Sequence, residues 1–318
     1  MTQVVVPIAE PLQPDGFALN RFPIPLTDKV GAPWNIHHLQ LDRLPILDVS
    51  NRPHVGWISS HLVLTMTDRE LALKERGIRT DILKNVKGTI HTILVGAAGV
   101  QQHRSRVFGL GVKGNIDTII FVPTLRLDLA SHTLVADAYA LPLNHDLLRK
   151  IEKTLVAVIG EMVRVELWGD DVAAWKRLLP VLVERCRTWK HSPNCEFLAQ
   201  KSIPLSLEHE NDPLCSCGKG KDISAAFLKE KTWEPAVPFV TRIAIGPIFG
   251  VPYVESVGGI TDKIRQGLSK EENGDRCARC GGPGKPKLLV CGACKSTSYC
   301  SAGCQREDWK KHKLTCKK

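Results

Sequence analysis

The chain has 318 residues, of which 43% are hydrophobic and 24% charged, the composition of a globular protein of two or three domains. Its longest apolar stretch, residues 93–100, is far too short to span a bilayer, and the opening Met-Thr-Gln-Val-Val-Val-Pro lacks the basic and apolar regions of a signal peptide. The expectation is an intracellular protein in a reducing compartment, where eleven cysteines point to metal and not to disulfides.

Residues 1–55 are rich in proline and aperiodic, and read as extended segments and loops laid on a later sheet. Residues 56–67, with Trp57, Ile58, Leu62, Val63, Leu64 and Met66, read as a strand. Residues 68–77 read as a short helix capped by Asp68 and stopped by Gly77. Residues 87–100 are apolar enough to be buried, and their periodicity fits a strand or a short helix equally. Residues 106–112 and 115–129 read as strands, the second with Leu125, Leu127 and Leu129 alternating against Arg126 and Asp128. Ala130-Ser131-His132 is a turn, and residues 133–143 return antiparallel with Leu134, Ala136, Ala138 and Ala140 on one face. A helix over 144–162 starts on Asn144 and spaces Leu147, Leu148, Ile151, Leu155 and Ile159 along one side. A second helix spans 170–187 and is bent by Pro180. The fold class is α+β, with a mixed antiparallel-sheet and helix domain over residues 1–185.

Gly109-x-Gly111-x-x-Gly114 has the letters of a dinucleotide-binding loop. That loop must open a helix, whereas Asn115-Ile-Asp-Thr-Ile-Ile-Phe-Val continues as a strand. Lys113-Gly114-Asn115 is therefore a hairpin turn.

Residues 186–262 are irregular and carry a second kind of signal, Cys186-x4-His191-x3-Cys195 followed by Cys215-x-Cys217. A proline-rich and polar stretch between them is easier to understand if an ion staples it. Cys195, Cys215 and Cys217 are candidate zinc ligands, and Cys186 and His191 compete for the fourth place. A short helix over 225–231 and an apolar segment over 239–254 are expected to pack back on the main body, and residues 263–276 read as a charged linker.

The last forty-two residues hold eight metal-ligand residues in four pairs: Cys277-x2-Cys280, Cys291-x2-Cys294, Cys300-x3-Cys304 and His312-x3-Cys316. Zinc takes four such ligands, so eight make two closed sites with no position left for a substrate or an activated water. After Gly303 the residues favour helix. Along a continuous helix Cys304 and His312 stand about 12 Å apart, too far for one ion. The simplest remaining pairing is interleaved, with Cys277, Cys280, Cys300 and Cys304 on one zinc and Cys291, Cys294, His312 and Cys316 on the other.

This segment closely resembles the MYND zinc finger through Cys277-Ala-Arg-Cys280, Cys291-Gly-Ala-Cys294, Tyr299-Cys300-Ser-Ala-Gly-Cys304-Gln305, Asp308-Trp309 and His312-Lys-Leu-Thr-Cys316. The resemblance implies the same interleaved pairing, and a groove beside the second zinc in which Gln305 and Trp309 hold a proline-rich peptide. The alternative for Trp309 is a place in the finger's own small core. Leu125-Arg-Leu-Asp-Leu129, Asp137-Ala-Tyr-Ala-Leu-Pro142, Glu184-Arg-Cys-Arg-Thr-Trp189, Pro193-Asn-Cys-Glu-Phe197 and Pro213-Leu-Cys-Ser-Cys-Gly-Lys-Gly220 also resemble a group of fungal MYND-finger proteins of unknown activity.

No catalytic constellation is visible: His37, His38, His61, His91 and His132 are scattered, and each reads as structural. Asn144-His145 resembles a SET-methyltransferase motif, but no SET-like tyrosine follows, and the chain has only three tyrosines. The reading is a zinc-binding interaction protein, not an enzyme, whose finger binds a protein partner, with no membrane and no small-molecule substrate. A formal net charge of +10 and the lysine-rich finger carry the alternative, a nucleic-acid-associated transcriptional regulator. A third reading makes the finger a stabilising cap on the sheet domain.

Overall fold

The proline-rich start is extended where it is described, apart from a 3-10 turn at Leu41–Arg43. Strands β1 (Arg21–Thr27) and β2 (Val30–Asn35) pair as an antiparallel hairpin. Farther on, Leu47 donates its N–H to the Leu125 carbonyl at 2.8 Å and Leu127 donates to that of Pro45 at 2.9 Å, which lays this segment on the main sheet. The computed structural model describes residues 21–27, 30–35, 37–50, 55–100, 103–201, 203, 212–249, 277–282, 288–295 and 297–316. The chain divides into two units, residues 1–254 and 255–318. The expected linker over 263–276 lies outside the described residues.

The expected strand over 56–67 is a helix, α1 (Trp57–Val63). Ile58 and Leu62, four apart and so on one helical face, are buried, while Val63 and Leu64 are 43% and 82% exposed. A short apolar run does not separate strand from helix by itself. Helix α2 (Asp68–Glu75) is capped not by Asp68 but by Thr67, in a capping box with Glu70. Gly77 follows it at φ 66°, as a helix stop should. The ambiguous segment is helix α3 (Ile82–Ala98), which starts ahead of the expected bound because the Asp81 carboxylate caps the Lys84 N–H at 2.8 Å.

Strands β3 (Val107–Val112), β4 (Asn115–Asp128) and β5 (Thr133–Pro142) form the expected antiparallel meander. Lys113 and Gly114 make the first turn, with φ of 51° and 82°, the backbone signature of a two-residue type I′ hairpin. Leu129 falls just beyond β4 and is 62% exposed. Arg126 does face away from Leu125, but it is buried and donates from Nε to Asp137 Oδ2 at 2.8 Å.

The expected helix over 144–162 is two helices, α4 (His145–Lys150) and α5 (Glu152–Ile159), interrupted at Ile151, whose φ/ψ of −112°/15° leave the helical region. Residues 163–166, unforeseen in the sequence, form β6 (Val163–Glu166), which pairs parallel with β3. Helix α6 (Asp171–Glu184) runs through Pro180. After α7 (Glu196–Gln200) and α8 (Ala225–Leu228), β7 (Thr241–Ile245) adds antiparallel to β5, which completes a five-stranded sheet of order β6-β3-β4-β5-β7.

Both faces of this sheet are covered. Leu134, Ala136, Ala138 and Ala140 of β5, together with Ile243 and Ile245 of β7, meet α1, α3 and α6 in the larger core. The alternate residues Phe121, Tyr139 and Leu141 meet Phe227, Trp233 and Val240 on the other side. There Tyr139 and Phe227 have ring centroids 4.6 Å apart, and Phe121 and Trp233 5.1 Å. Each aromatic pair is worth about 0.5–1.5 kcal/mol beyond its buried area. The small alanines of β5 let α3 and α6 pack close on one face while the large rings fill the other.

Candidate metal centres

In the smaller unit, β8 (Leu289–Val290) and β9 (Ser298–Tyr299) pair antiparallel, and helix α9 (Ala302–His312) follows. The Ser301 hydroxyl caps α9 by accepting the Cys304 N–H at 3.2 Å. Cys304 and His312 sit at opposite ends of this unbroken helix, and the structure sorts the eight ligand residues accordingly. Cys277, Cys280, Cys300 and Cys304 form one group, and Cys291, Cys294, His312 and Cys316 another, with the ligand atoms of each group within 4.8 Å of one another.

The spacing can be tested against zinc. Bond lengths of about 2.3 Å to sulfur and 2.0–2.1 Å to nitrogen give tetrahedral edges of about 3.8 Å for S–S and 3.6 Å for S–N. Cys280 and Cys304 each lie 3.5 Å from Cys300 by their Sγ atoms, and Cys291 and Cys316 are 3.9 Å apart. His312 presents Nε2, which lies 3.3 Å from Cys291 Sγ and 3.4 Å from Cys294 Sγ. Four ligand atoms therefore already stand close to the edges of a tetrahedron in each group.

The two C-x2-C knuckles repeat one turn. Gly281 donates its N–H to the Cys277 carbonyl at 2.8 Å, and Lys295 donates to that of Cys291 at 3.0 Å. Both residues lie in the left-handed region, with φ of 68° and 53°. This turn points backbone N–H groups at the sulfurs. Burial works against the Cys277 thiolate, but the N–H groups of Cys300, Cys280 and Arg279 outweigh it and bring the thiol down to about 6. The N–H groups of Cys294 and Ala293 are the main cause that lowers Cys291. Thiolates are the form that binds metal.

Residues 277–316 match the MYND finger family. The C-terminal segment is a MYND finger. MYND fingers bind zinc and mediate protein–protein interaction. The N-lysine methyltransferase SMYD2 of Bos taurus is 47% identical over 49 residues, 15% of this chain and 11% of that protein. Tudor domain-containing protein 1 of Oryzias latipes is 51% identical over 41 residues, 13% of this chain and 3% of the relative. Egl nine homolog 1 of Mus musculus is 46% identical over 48 residues, 15% of this chain and 12% of the relative. The likeness to the methyltransferases is confined to the finger, and the chain spans 11% of the length of SMYD2. No solved structure matches the chain.

Of the two residues that the MYND resemblance places in a peptide groove, Trp309 is 46% exposed, and its ring centroid lies 5.9 Å from that of His312. Gln305, one turn earlier on α9, is half-buried. Arg279, Lys295, Arg306, Lys310, Lys311 and Lys313 are exposed around them, while Lys285, Lys287, Lys317 and Lys318 lie outside the described residues.

In the larger unit a third group assembles from His191, Cys195, Cys215 and Cys217, again with ligand atoms within 4.8 Å of one another. Of the two competitors for the fourth place, His191 stands in this group. Cys186 is not in this group. Its Sγ lies 3.6 Å from the Leu182 carbonyl and 3.8 Å from that of Arg242, and it packs with Leu39, Leu41, Val135 and Ala244. Burial pushes that thiol far up, as befits a core residue.

Four of the five histidines read as structural have polar partners: His37 meets Asp128 at 2.9 Å, His38 lies 3.0 Å from the Arg187 carbonyl, His61 meets Thr133 at 2.7 Å, and His91 meets Thr65 at 3.0 Å. Asn144 accepts the Leu147 N–H at 2.8 Å as the cap of α4, and His145 is exposed. A cleft of about 670 Å³ beside α3 and β6, unforeseen in the amino-acid order, is lined among others by Lys74, Arg79, Lys84, His91, His103 and Glu166. It lies beside a helix whose periodicity fits strand and helix equally, and a strand that the sequence leaves unassigned. Among the described residues no helix is long and apolar enough to cross a membrane.

Proposed function

We propose that this is a zinc-dependent interaction protein that works inside the cell and is not an enzyme, with a MYND finger that recruits a protein partner through an extended, proline-rich segment. The observation that carries this reading is the position of Trp309: nearly half its surface is open to solvent while its inner edge rests on the buried His312 of the second ligand group. A rigid, half-exposed indole suits the face of a proline ring, and a preformed extended peptide loses little entropy on docking. Gln305 lies one helical turn away and offers an amide to the peptide backbone. The two zinc groups hold α9 in place, so the metal is structural and the helix surface does the binding.

The relatives support a shared module without a shared reaction. Their names describe a lysine methyltransferase, a Tudor-domain protein and an Egl nine homolog, and what this chain has in common with them is the finger. The cap of α4 gives Asn144 a structural task, which weakens the SET-like reading of Asn144-His145.

The test is a titration of the zinc-loaded full-length protein with proline-rich peptides, repeated on Trp309→Ala. A saturable response in the wild type that weakens at least tenfold in the variant, at unchanged zinc content, is expected. Equal binding by the two proteins would remove Trp309 from the interface. The exposed cations of α9 carry the second reading, in which the finger lies on nucleic acid. Duplex DNA retained at physiological salt, with no response to peptide, would favour it.

A further inference from the structure

We infer that His191, Cys195, Cys215 and Cys217 bind a third zinc ion, that His191 ligates through Nδ1, and that this closed site is a structural clamp of the larger unit, separate from the finger. The finger supplies an internal standard for the geometry. Its nitrogen–sulfur edges are 3.3 and 3.4 Å. His191 Nδ1 lies 3.4 Å from Cys195 Sγ and 3.5 Å from Cys215 Sγ. Four side chains converge with the spacing of a tetrahedron in all three places.

The opposite side of the imidazole carries an independent observation. His191 Nε2 lies 3.0 Å from Glu184 Oε1. Glu184 is itself held in place, since its other oxygen accepts from Arg187 Nε at 2.8 Å, and Arg187 Nη1 donates to the Trp189 carbonyl at 2.6 Å. A metal-bound histidine almost always donates its second ring N–H to a carboxylate or carbonyl, which fixes the tautomer and the ring plane. Glu184 does this here: with the proton on Nε2, the lone pair of Nδ1 faces the three thiols. A histidine that merely fills the core has no need of a buried, arginine-braced carboxylate on one nitrogen and sulfurs on the other.

The surroundings fit a largely buried site, with Cys215 and Cys217 half-buried. His191 is 5% exposed and Cys195 7%. The rings of Trp189 and Phe197 flank the imidazole at 5.1 and 5.6 Å. Gly218, next to Cys217, has no space for a side chain, because a Cβ there would stand 2.4 Å from the Trp189 ring. The Ser192 N–H reaches Cys217 Sγ at 3.3 Å, the same kind of N–H···S contact that the finger knuckles make.

Four protein ligands leave no open position, so the role is structural. The clamp joins the residues that follow α6, the start of α7 and the short 3-10 turn Ser216–Gly218. These pieces are too short to hold one another by regular hydrogen bonding. The anchored turn in turn touches the sheet, because the same Cβ at Gly218 would lie 2.8 Å from Thr241 on β7.

The experiment is zinc counting on the full-length, zinc-replete protein by native mass spectrometry and elemental analysis. Three ions per chain are expected, and two would overturn the inference. Cys217→Ser and Cys195→Ser should each bind two, whereas Cys186→Ser should keep three; loss of an ion in Cys186→Ser alone would also overturn the assignment. Glu184→Gln should still reach three ions at saturation but yield the third to a competing chelator about 10–100-fold more readily. Should the serine variants not fold, cobalt substitution of the wild type answers the same question. Sulfur-to-cobalt charge-transfer absorption that rises through three equivalents supports the site, and saturation at two refutes it. Zinc-loaded protein in which Cys195, Cys215 and Cys217 alkylate freely would refute it as well.

Discussion

The Tyr299 hydroxyl donates to Asp308 Oδ2 at 2.9 Å. Tyr299 is fully buried on β9 next to Cys300 of one ligand group, and Asp308 lies on the helix that ends at His312 of the other. The tyrosine ring also stands edge-on to His312, 6.1 Å between centroids. Burial, and then the Asp308 carboxylate, hold the phenol well above its ordinary value, so it stays a donor. Loss of the hydroxyl in Tyr299→Phe should cost about 0.5–1.5 kcal/mol, and loss of the ring in Tyr299→Ala about 3–5 kcal/mol. Thermal unfolding of the zinc-loaded finger transition reads both. An equal loss in the two variants would mean that the ring contributes nothing to packing.

Removal of zinc should unfold the finger and loosen the segments around His191 and Cys217, without melting the centre of the sheet. A structural zinc contributes roughly 10–16 kcal/mol to a finger-sized fold, far more than Tyr299 and the few apolar residues around it supply. Chelation of the full-length protein should therefore abolish amide protection along α9, while β4 and β5, buried in the sheet on both faces, keep theirs. Hydrogen exchange with mass spectrometry checks this. Protection of α9 that survives chelation would show a finger held by packing alone.

How much of this could be read from the amino-acid order depends on what sets each feature. The eight finger ligands stand out because ligand number and helix rise constrain their spacing, and the chain can satisfy both in few ways. In the larger unit Cys195, Cys215 and Cys217 stand out for the same reason, but the fourth ligand does not, because Cys186 and His191 are both near in sequence. The phase of α6 separates them. Cys186 continues the buried face one turn after Leu182, and His191 follows after the helix has ended. The meander over 107–142 was legible from its alternation. Helix α1 and strand β6 were not, since Leu62-Val63-Leu64 and Val163-Arg-Val-Glu166 are too short for their period to declare itself.

His91 gives the larger unit an acid-sensitive point. Thr65 donates its hydroxyl proton to the Leu62 carbonyl at 2.7 Å, so it accepts from His91 Nε2 at 3.0 Å. Burial, and then the charges of Lys74, Lys87 and His61, hold the imidazole down at about 4. An unfolded chain takes up a proton on this ring near pH 6.5. The stability that neutral His91 confers is thus complete above about pH 6.5 and is lost as pH falls towards 4, at up to ~1.4 kcal/mol per pH unit. His91→Gln should flatten that fall. Urea midpoints of wild type and variant at pH 7, 6 and 5 give the difference, in which acid effects on the zinc sites cancel. Parallel curves would show that His91 titrates normally in the folded state.

Gly111 shows why letters matching a dinucleotide-binding loop occur in a protein with a hairpin there. A Cβ at Gly111 would stand 1.7 Å from the Asn115 carbonyl oxygen, a backbone atom that cannot step aside. At Gly114 a Cβ meets nothing within 4 Å, but φ is 82°. Gly109 faces the flexible Met162 side chain, with Sδ 2.7 Å from the hypothetical Cβ. The three glycines therefore answer to three separate demands of β3 and β4, and none of them is exposed to phosphate at a helix start. Gly111→Ala should be the most damaging of the three, at about 3 kcal/mol or more, and Gly114→Ala should cost about 1–2 kcal/mol through its left-handed backbone. Gly109→Ala should fall below Gly111→Ala, since the methionine can turn away. Denaturant unfolding ranks them, and a thermal-shift titration of the wild type with NAD should show no stabilisation. A saturable shift with NAD that Gly109→Ala removes without loss of stability would restore the nucleotide reading that the hairpin geometry opposes.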